Sequence, residues 1–572
     1  MNKSLKHIAT IALILGLSSC EAFLEPIDEN RVPIEFVASD PATAEGLILD
    51  AYRRVLNQYQ FTETATSDAV HNNLTNNLKR MATGQLSAQF NPVSEWGQYE
   101  RVLYINQFIQ IANANTAQWS RDEVTNALFK DRLLGEALAL RALFHFYVLR
   151  AHAGVGSSGE LLGVPYLKEV IEPTGDFNLA RLSYEETVLA IMEDFDRAME
   201  LLPFDYSNDA SDIEPKFGDV DPAKYLTVNG SQNTLRLTAR IVKALKARVA
   251  IHAASPSFLN GAGYYEMAAN LSSELLNDKG GISFLDPNGV AFYDSDDDKD
   301  LDELLWRGSI GRSTAQEENN FPPSQNGDGD VNPTHNLVSA FPMKSGFPAT
   351  EENGYDPQNP YADRDPRLDE YIVTNNSMYL GETIVTGIGG GLDRVDSIPN
   401  ISTLTGYYMK KLLHPGVRIN NDGSTTDRDK FEVYYRYTEL FLILAEAANE
   451  IGGPMNQVNG ISAMAVISAI RERAGIDQPD LYLESITSKE DMRELIRNER
   501  RLELSFEGHR FFDIRRWGLP LNETATGYLF NGDSYELLPV VEIRDYPSFA
   551  IYLPIPNSET IKFSNLMQNQ GW

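Results

Sequence analysis

Cysteine is almost absent from this chain: Cys20 is the only one in 572 residues. Intrachain disulfides and multi-cysteine metal sites are therefore excluded, and stability must come from burial and hydrogen bonding. Basic residues are also scarce, with 49 Lys and Arg against 81 Asp and Glu and a net charge of −32. Nucleic acids and anionic lipid surfaces are bound through basic patches, so neither is an expected partner. Long apolar runs are missing too. Ile8 to Leu17 is the longest, at ten positions, whereas a membrane-spanning helix needs roughly 20. The usual signatures of catalysis and cofactor binding are likewise lacking. No nucleophile elbow and no His-Glu-x-x-His pattern occurs, and His145 and His152 stand seven apart as ordinary helix histidines. Gly154-Val155-Gly156-Ser157-Ser158-Gly159 has dinucleotide-loop spacing, but it follows a helical pattern where such a site needs a strand. The acidic run Asp294, Asp296, Asp297, Asp298, Asp300 and Asp302 fails as an EF-hand. Counted from Asp294, positions six and twelve are Lys299 and Leu305 instead of Gly and Glu. No cofactor and no dedicated metal site are expected, and a structural calcium ion of another kind stays compatible with that run.

What is present begins at the N-terminus. Lys3 and Lys6 precede the short apolar run, and Leu17-Ser18-Ser19-Cys20 follows it, the order of a secretory signal with a small-residue cleavage site. The ending resembles a bacterial lipobox, which implies a signal peptide over 1–19 and lipid on Cys20; the alternative is an ordinary signal with an incidental cysteine. Lipid chains at roughly 0.8 kcal/mol per buried CH₂ give stable anchoring. Glu21 is not the aspartate that resembles an inner-membrane retention signal, so the expectation is a lipid-anchored outer-membrane protein.

Helical spacing then dominates. Helices are predicted over 41–58, 98–114, 131–152, 184–202 and 235–254, and again over 433–450, 459–473 and 488–507. Their alanine content lets neighbouring helices approach closely, as in tetratricopeptide-like pairs. Between Asn277 and Asn400, Gly, Pro, Asn and Asp take over in turn-forming runs such as Asn326-Gly327-Asp328-Gly329-Asp330, with one short strand at 304–310. The expected fold is mainly α, with helix pairs, long irregular loops and minor β-structure. The mature chain divides into a helical region 20–275, a loop-rich insertion 276–400 and a second helical region 401–572, expected to form one compact unit.

Several sequence blocks resemble the SusD/RagB family. The longest runs from Asn498-Glu499-Arg500-Arg501-Leu502-Glu503 through Gly508-His509-Arg510-Phe511-Phe512-Asp513 to Arg516-Trp517-Gly518. Arg436-Tyr437-Thr438-Glu439-Leu440, Asp365-Pro366-Arg367-Leu368, Ile470-Arg471-Glu472-Arg473, Arg141-Ala142-Leu143-Phe144-His145 and Tyr552-Leu553-Pro554-Ile555-Pro556 are similar to further family segments, in family order. The resemblance implies a SusD-like fold and a non-catalytic outer-membrane lipoprotein facing the exterior. Such a protein captures oligosaccharide or polysaccharide and delivers it to a SusC-like TonB-dependent transporter. A peptide-binding subunit of a RagA/RagB-type importer, a lipoprotein glycoside hydrolase and a purely structural surface protein are the alternatives.

Glu499, Glu503 and Glu507 fall on one helix face beside Arg500 and Arg501. That pattern reads as a buried salt-bridge network that specifies geometry, in preference to a catalytic carboxylate pair. Ligand contacts are expected in loops where aromatics stand beside amides on a rigid scaffold. Asn73 and Asn77, with Asn72, Asn76 and Phe90 nearby, are candidates in the first long loop. Phe321, Tyr355 and Tyr361 are the candidates in the middle section.

Overall fold

The computed structural model describes residues 34–114, 116–172, 174–293 and 301–572. Cys20, the segment 1–19 and most of the acidic run around Asp297 lie outside the described residues. Among the described residues no helix is long and apolar enough to cross a membrane.

Ten helices build the scaffold: α1 Pro41–Tyr52, α2 Gln98–Asn113, α3 Glu123–His152, α4 Tyr184–Leu201, α5 Ala239–Ala254, α6 Ala262–Asp278, α7 Tyr437–Gly452, α8 Ala463–Arg473, α9 Lys489–Glu503 and α10 Arg510–Arg516. Consecutive helices pack as pairs, α2 on α3, α3 on α4 and α5 on α6, with α6 continuing onto α7 and α7 onto α9. Small residues permit this. A Cβ at Gly135 of α3 would stand 2.7 Å from Leu202 Cγ, so the glycine sets how closely α3 and the end of α4 approach. From Leu133 to Leu149 every α3 residue is buried, which explains why that stretch shows no polar face. Local caps fix the starts: Asp40 accepts from Thr43 N, and Ser183 with Glu186 forms a reciprocal capping box on α4.

Three boundaries differ from the sequence expectation. The first helix ends at Tyr52, not 58, because Asn57 caps a separate 3₁₀ turn at Gln58–Gln60. Residues 433–436 are a strand, not the start of α7. Val433-Tyr434-Tyr435-Arg436 is β-branched and aromatic, and it pairs antiparallel with Leu304–Arg307. Helix α6 was not anticipated, although its buried Tyr265, Ala268, Ala269, Ser272, Leu275 and Leu276 keep helical spacing.

All named β-structure occurs as two-stranded antiparallel pairs. Four strands and one hairpin position the loops: β1 Ala69–His71, β2 Leu304–Arg307, β3 Val331–Pro333, β4 Val433–Arg436, and the hairpin of β5 Ala525–Phe530 with β6 Tyr535–Glu542. β1 pairs with β3 and β2 with β4. The first long loop and the C-terminal region are thus both stitched to the 276–400 segment. A second buried cluster forms where that segment meets the start of the C-terminal region, around Phe341, Tyr371, Tyr407 and Tyr408.

Beneath the hallmark block, the long 498–518 stretch, lies an alternating chain of buried ions. Asp480 pairs with Arg471 (2.6 Å), Arg471 with Glu499 (2.8 Å), and Glu499 with Arg367 (2.9 Å). Arg367 also holds Asp365 and Glu503. Glu503 meets Arg473 (2.7 Å), Arg473 meets Glu303 (3.6 Å), Glu303 meets Arg436 (2.7 Å), and Glu507 bridges Arg436 and Lys411. None of these side chains is more than 4 % exposed. Burial pushes the Glu503 carboxyl up, but Arg473, Arg367 and Arg436 outweigh it and hold it at about 2. For Glu507 burial also opposes ionisation, and Arg436 with Lys411 holds it at about 2.

Candidate functional site

The sequence places candidates in two loops, which the fold ties together through β1 and β3. In the first loop, Asn72 is structural. Its Nδ2 donates to the carbonyls of Asp328, Gly329 and Ile401, fastening the loop to the middle section. Asn73 is half-buried and closes a local turn, its Oδ1 accepting from Thr75 N at 2.9 Å and Thr75 Oγ1 at 2.8 Å. Asn77 is exposed and lines a separate cleft. Phe90 is half-buried with the Arg80 guanidinium 4.6 Å from its ring centre.

In the middle section Phe321 is 1 % exposed and packs edge-on against Tyr379. Its ring is core, and the ligand assignment for it is corrected accordingly: the turn-rich sequence around it looked like surface, but Val331 and Phe321 belong to one apolar cluster. Tyr355 and Tyr361 behave differently. Both are half-buried, and they converge on aromatics from three other segments.

The organising feature is a stack. The His335 ring lies 4.4 Å from Tyr528 at 12°, and Tyr528 lies 5.5 Å from Tyr535 at 10°. Tyr361 stands edge-on to Tyr535 (5.6 Å) and to Tyr407 (6.2 Å). The hydroxyl of Tyr355 lies beside that of Tyr528, and Arg364 sits 5.5 Å from the Tyr355 ring. Parallel-displaced and edge-on contacts of this kind suit the ring quadrupoles and add about 0.5–1.5 kcal/mol per pair beyond burial.

Each ring is held from behind. The hairpin β5–β6 carries Tyr528 and Tyr535, and Asn375 Nδ2 donates to the Tyr535 hydroxyl at 3.1 Å. His335 begins a short helix capped by Thr334, with Nδ1 3.0 Å from the Tyr407 hydroxyl. Arg364 is itself fixed by the carbonyls of Pro360, Val338 and Phe341. Burial, with Arg364 adding to it, lowers the His335 imidazole to about 4, so it is neutral at pH 7. Burial raises the phenols of Tyr355 and Tyr361, which therefore stay protonated and able to donate.

His335, Tyr535, Tyr355 and Tyr361 are half-buried, while Tyr407 is fully buried and Tyr528 nearly so. The result is a rigid, uncharged aromatic face with phenol donors. Exposed Asp356 and Asn359 neighbour Tyr355 in sequence. Such a surface can stack on an apolar ring face and hydrogen-bond hydroxyls at its edge. Sequence reading missed His335, Tyr407, Tyr528 and Tyr535. The signal available was Asn531-Gly532 between two β-prone runs, a hairpin signature that would have put Tyr528 and Tyr535 on adjoining strands.

The helix histidines, the glycine-rich stretch and the two tryptophans Trp306 and Trp517 are structural. His145 Nε2 accepts from Leu167 N, and its Nδ1 meets Arg141 O. His152 contacts Pro554 O and Ser94 Oγ. Gly154–Val155 forms a tight strand pair with Leu161–Leu162 directly after α3, so the glycine-rich stretch is a hairpin loop. Among the described residues no cluster of three metal-ligating side chains occurs. Trp306 donates to Leu235 O and Trp517 to Glu446, both from buried positions.

Two family models match the chain. One is described as the SusD family, over residues 298–572, and the other as "Starch-binding associating with outer membrane", over residues 24–217. A SusD-like protein from Bacteroides fragilis has a similar crystal structure, with a TM-score of 0.73 and 23% identity, covering 96% of this chain and 100% of that one. A second from the same organism, described as a SusD-like carbohydrate binding protein, gives a TM-score of 0.69 at 19% identity, over 93% of this chain and 99% of that one. SusD-like protein P2 of Formosa agariphila is 34% identical over 138 residues, 23% of this chain and 24% of that protein. SusD-like protein P25 of the same organism is 34% identical over 153 residues, 27% of this chain and 25% of that protein. The chain thus spans about a quarter of the length of these curated relatives. With the mainly helical paired scaffold, the ion chain under the hallmark block and matches at both ends of the sequence, the chain belongs to the SusD/RagB family.

Proposed function

We propose that this protein is a glycan-binding, non-catalytic outer-membrane subunit that captures neutral oligosaccharide or polysaccharide on its aromatic face. The observation that carries this reading is the half-exposed set His335, Tyr355, Tyr361 and Tyr535 backed by Tyr528 and Tyr407. Sugar rings offer C–H faces to such rings and hydroxyls to phenols and amides. The matched description of outer-membrane association, and the carbohydrate binding named for one structural neighbour, support the same reading. Delivery to a SusC-like TonB-dependent transporter, anchoring through lipid on Cys20 and an outward orientation belong to the proposal. The non-catalytic assignment is supported by Glu499, Glu503 and Glu507, whose carboxylates are all engaged by buried cations.

The test is calorimetric titration of the purified protein with a panel of neutral polysaccharides and with a peptide pool, followed by product analysis. Saturable binding of one glycan class without product is expected, weakened by Tyr535→Ala and Tyr355→Ala. Binding of peptide alone would move the protein to peptide import, and released sugar would make it a hydrolase. Co-purification of the protein with a TonB-dependent barrel tests the transporter part.

A further inference from the structure

A second concavity, of about 360 Å³, opens between the first long loop and the C-terminal hallmark block. It shares no residue with the aromatic face. Asn57, Gln60, Asn76 and Asn77 come from the loop, and Arg150 and Phe512 from α3 and α10.

The cleft is lined by several arginines, and their pairing is uneven. Arg248 holds Glu439 through two bonds of 2.8 and 2.5 Å, Arg436 holds Glu507, Arg500 holds Asp513, and Arg516 holds Glu446. Arg150 has ring contacts, with Phe146, Tyr147 and Phe512, but no ion pair with a described residue. Its guanidinium lies 3.8 Å from the Phe512 ring centre, it donates no hydrogen bond to any described residue, and its Nε is buried without an acceptor. Glu95 and Glu439 act on it only electrostatically: Gln98 Nε2 donates to one Glu95 oxygen at 3.0 Å, and Arg248 holds both oxygens of Glu439. Arg150 sits in the last turn of α3, where the helix dipole favours a cation by about 0.3–1 kcal/mol. That is small beside the several kcal/mol required to desolvate an ion.

The rim has the same bias. The Asn57 amide oxygen is used by Tyr59 N (3.0 Å), and that of Asn76 by Leu78 N (2.9 Å) and Lys79 N (3.1 Å). The NH₂ groups of Asn57, Asn76 and Asn77 donate to no described residue. The cleft therefore offers three amide donors and one unpaired planar cation. Its volume falls in the range of small-ligand sites, roughly 300–1,000 Å³.

We propose that this cleft is a separate binding site for an acidic sugar, a uronate-type monosaccharide unit. Its carboxylate pairs with Arg150 and its hydroxyls accept from the rim amides. A guanidinium matches a planar carboxylate better than it matches any neutral sugar group. A sulfate ester shares the oxyanion chemistry and is separated from the carboxylate in the test.

Ligand-observed NMR and calorimetry on the purified protein would use four probes: glucuronate, glucose, glucose 6-sulfate and acetate. Glucuronate is expected to bind at least tenfold tighter than either glucose or acetate, and tighter than glucose 6-sulfate. Arg150→Met should abolish that preference, and Asn77→Ala, an exposed substitution that leaves folding intact, should weaken glucuronate several-fold. Tyr535→Ala should leave it unchanged, which keeps this outcome distinct from the fate of the aromatic face. Four results would overturn the proposal: glucuronate no tighter than glucose, acetate as tight as glucuronate, a preference for the sulfate ester, or full glucuronate binding by Asn77→Ala.

Discussion

Replacing Arg367 by Met tests the buried ion chain most directly. The guanidinium is shared by Asp365, Glu499 and Glu503, and it is 1 % exposed. Methionine fills similar volume but leaves three carboxylates short of a partner, and breaking a buried pair in this way costs about 3–5 kcal/mol. An unfolding entropy of about 2 cal/mol/K per residue puts this chain near 1 kcal/mol/K, so the melting point should fall by roughly 3–5 °C at pH 7. The pH dependence gives a second readout. Glu503 and Glu507 have carboxyls lowered to about 2 in the fold, so each contributes stability that is fully present above about 4.5. That contribution, on the order of 3 kcal/mol each and not additive, is lost as pH falls through about 2. The wild-type protein should therefore lose stability steeply between pH 4.5 and 2, and Arg367→Met less steeply, because Glu503 has lost one of the cations that lower it. Adding Asp365→Asn to Arg367→Met should recover part of the loss by removing one stranded charge. Differential scanning calorimetry or circular dichroism across that pH range measures all three. A melting point for Arg367→Met within 1 °C of wild type at pH 7 would refute the reasoning.

Phe321→Ala should cost about 3–5 kcal/mol of stability with glycan affinity unchanged in the folded fraction, measured by denaturant unfolding beside calorimetry. Tyr535→Ala should lower neutral-glycan affinity about tenfold and cost less stability than Phe321→Ala, because its ring is half-exposed. Glu63 is buried, with Asp68 and Glu507 adding to the effect of burial, and its carboxyl is raised to about 7; one oxygen accepts from Gly508 N and the other has no donor. A raised carboxyl favours the fold below its unfolded value and loses that advantage as pH rises through 7. Glu63→Gln should therefore stabilise the protein by up to about 3 kcal/mol at pH 8 and change little at pH 5, as thermal melts at the two pH values would show.

The helical scaffold was legible because its signal is local. The predicted spans at 98–114, 184–202 and 488–507 land within a few residues of α2, α4 and α9, since apolar spacing and caps are written within one turn. The strand at 433–436 was not, because its identity depends on a partner more than a hundred residues earlier, Leu304–Arg307. The aromatic face failed for the same reason. Tyr355 and Tyr361 could be suspected from loop composition, but His335, Tyr407 and Tyr528 acquire meaning only when hairpin β5–β6 comes back beside them. Phe321 shows the opposite error: a phenylalanine among Asn, Gly and Asp looked exposed and is core. For Glu499, Glu503 and Glu507 helical spacing predicted a shared face, and the fold supplies their cations from residues 367, 411, 436, 471 and 473.

The ion chain also imposes an order of assembly on a polymer made from one end. The pairs α2–α3, α3–α4 and α5–α6 lie within residues 98–278, so they can pack while the remainder is still being synthesised, although α6 waits for α7 to cover its other side. The cations cannot. Arg367, Lys411, Arg436, Arg471 and Arg473 all emerge before Glu499, Glu503 and Glu507, and a chain stopped ahead of Lys489 would hold five cations against Asp365, Glu303 and Asp480 alone. The ion chain thus closes only when the last eighty or so residues arrive. A prematurely terminated chain is left with unmatched charge at its centre and cannot pass for the finished molecule.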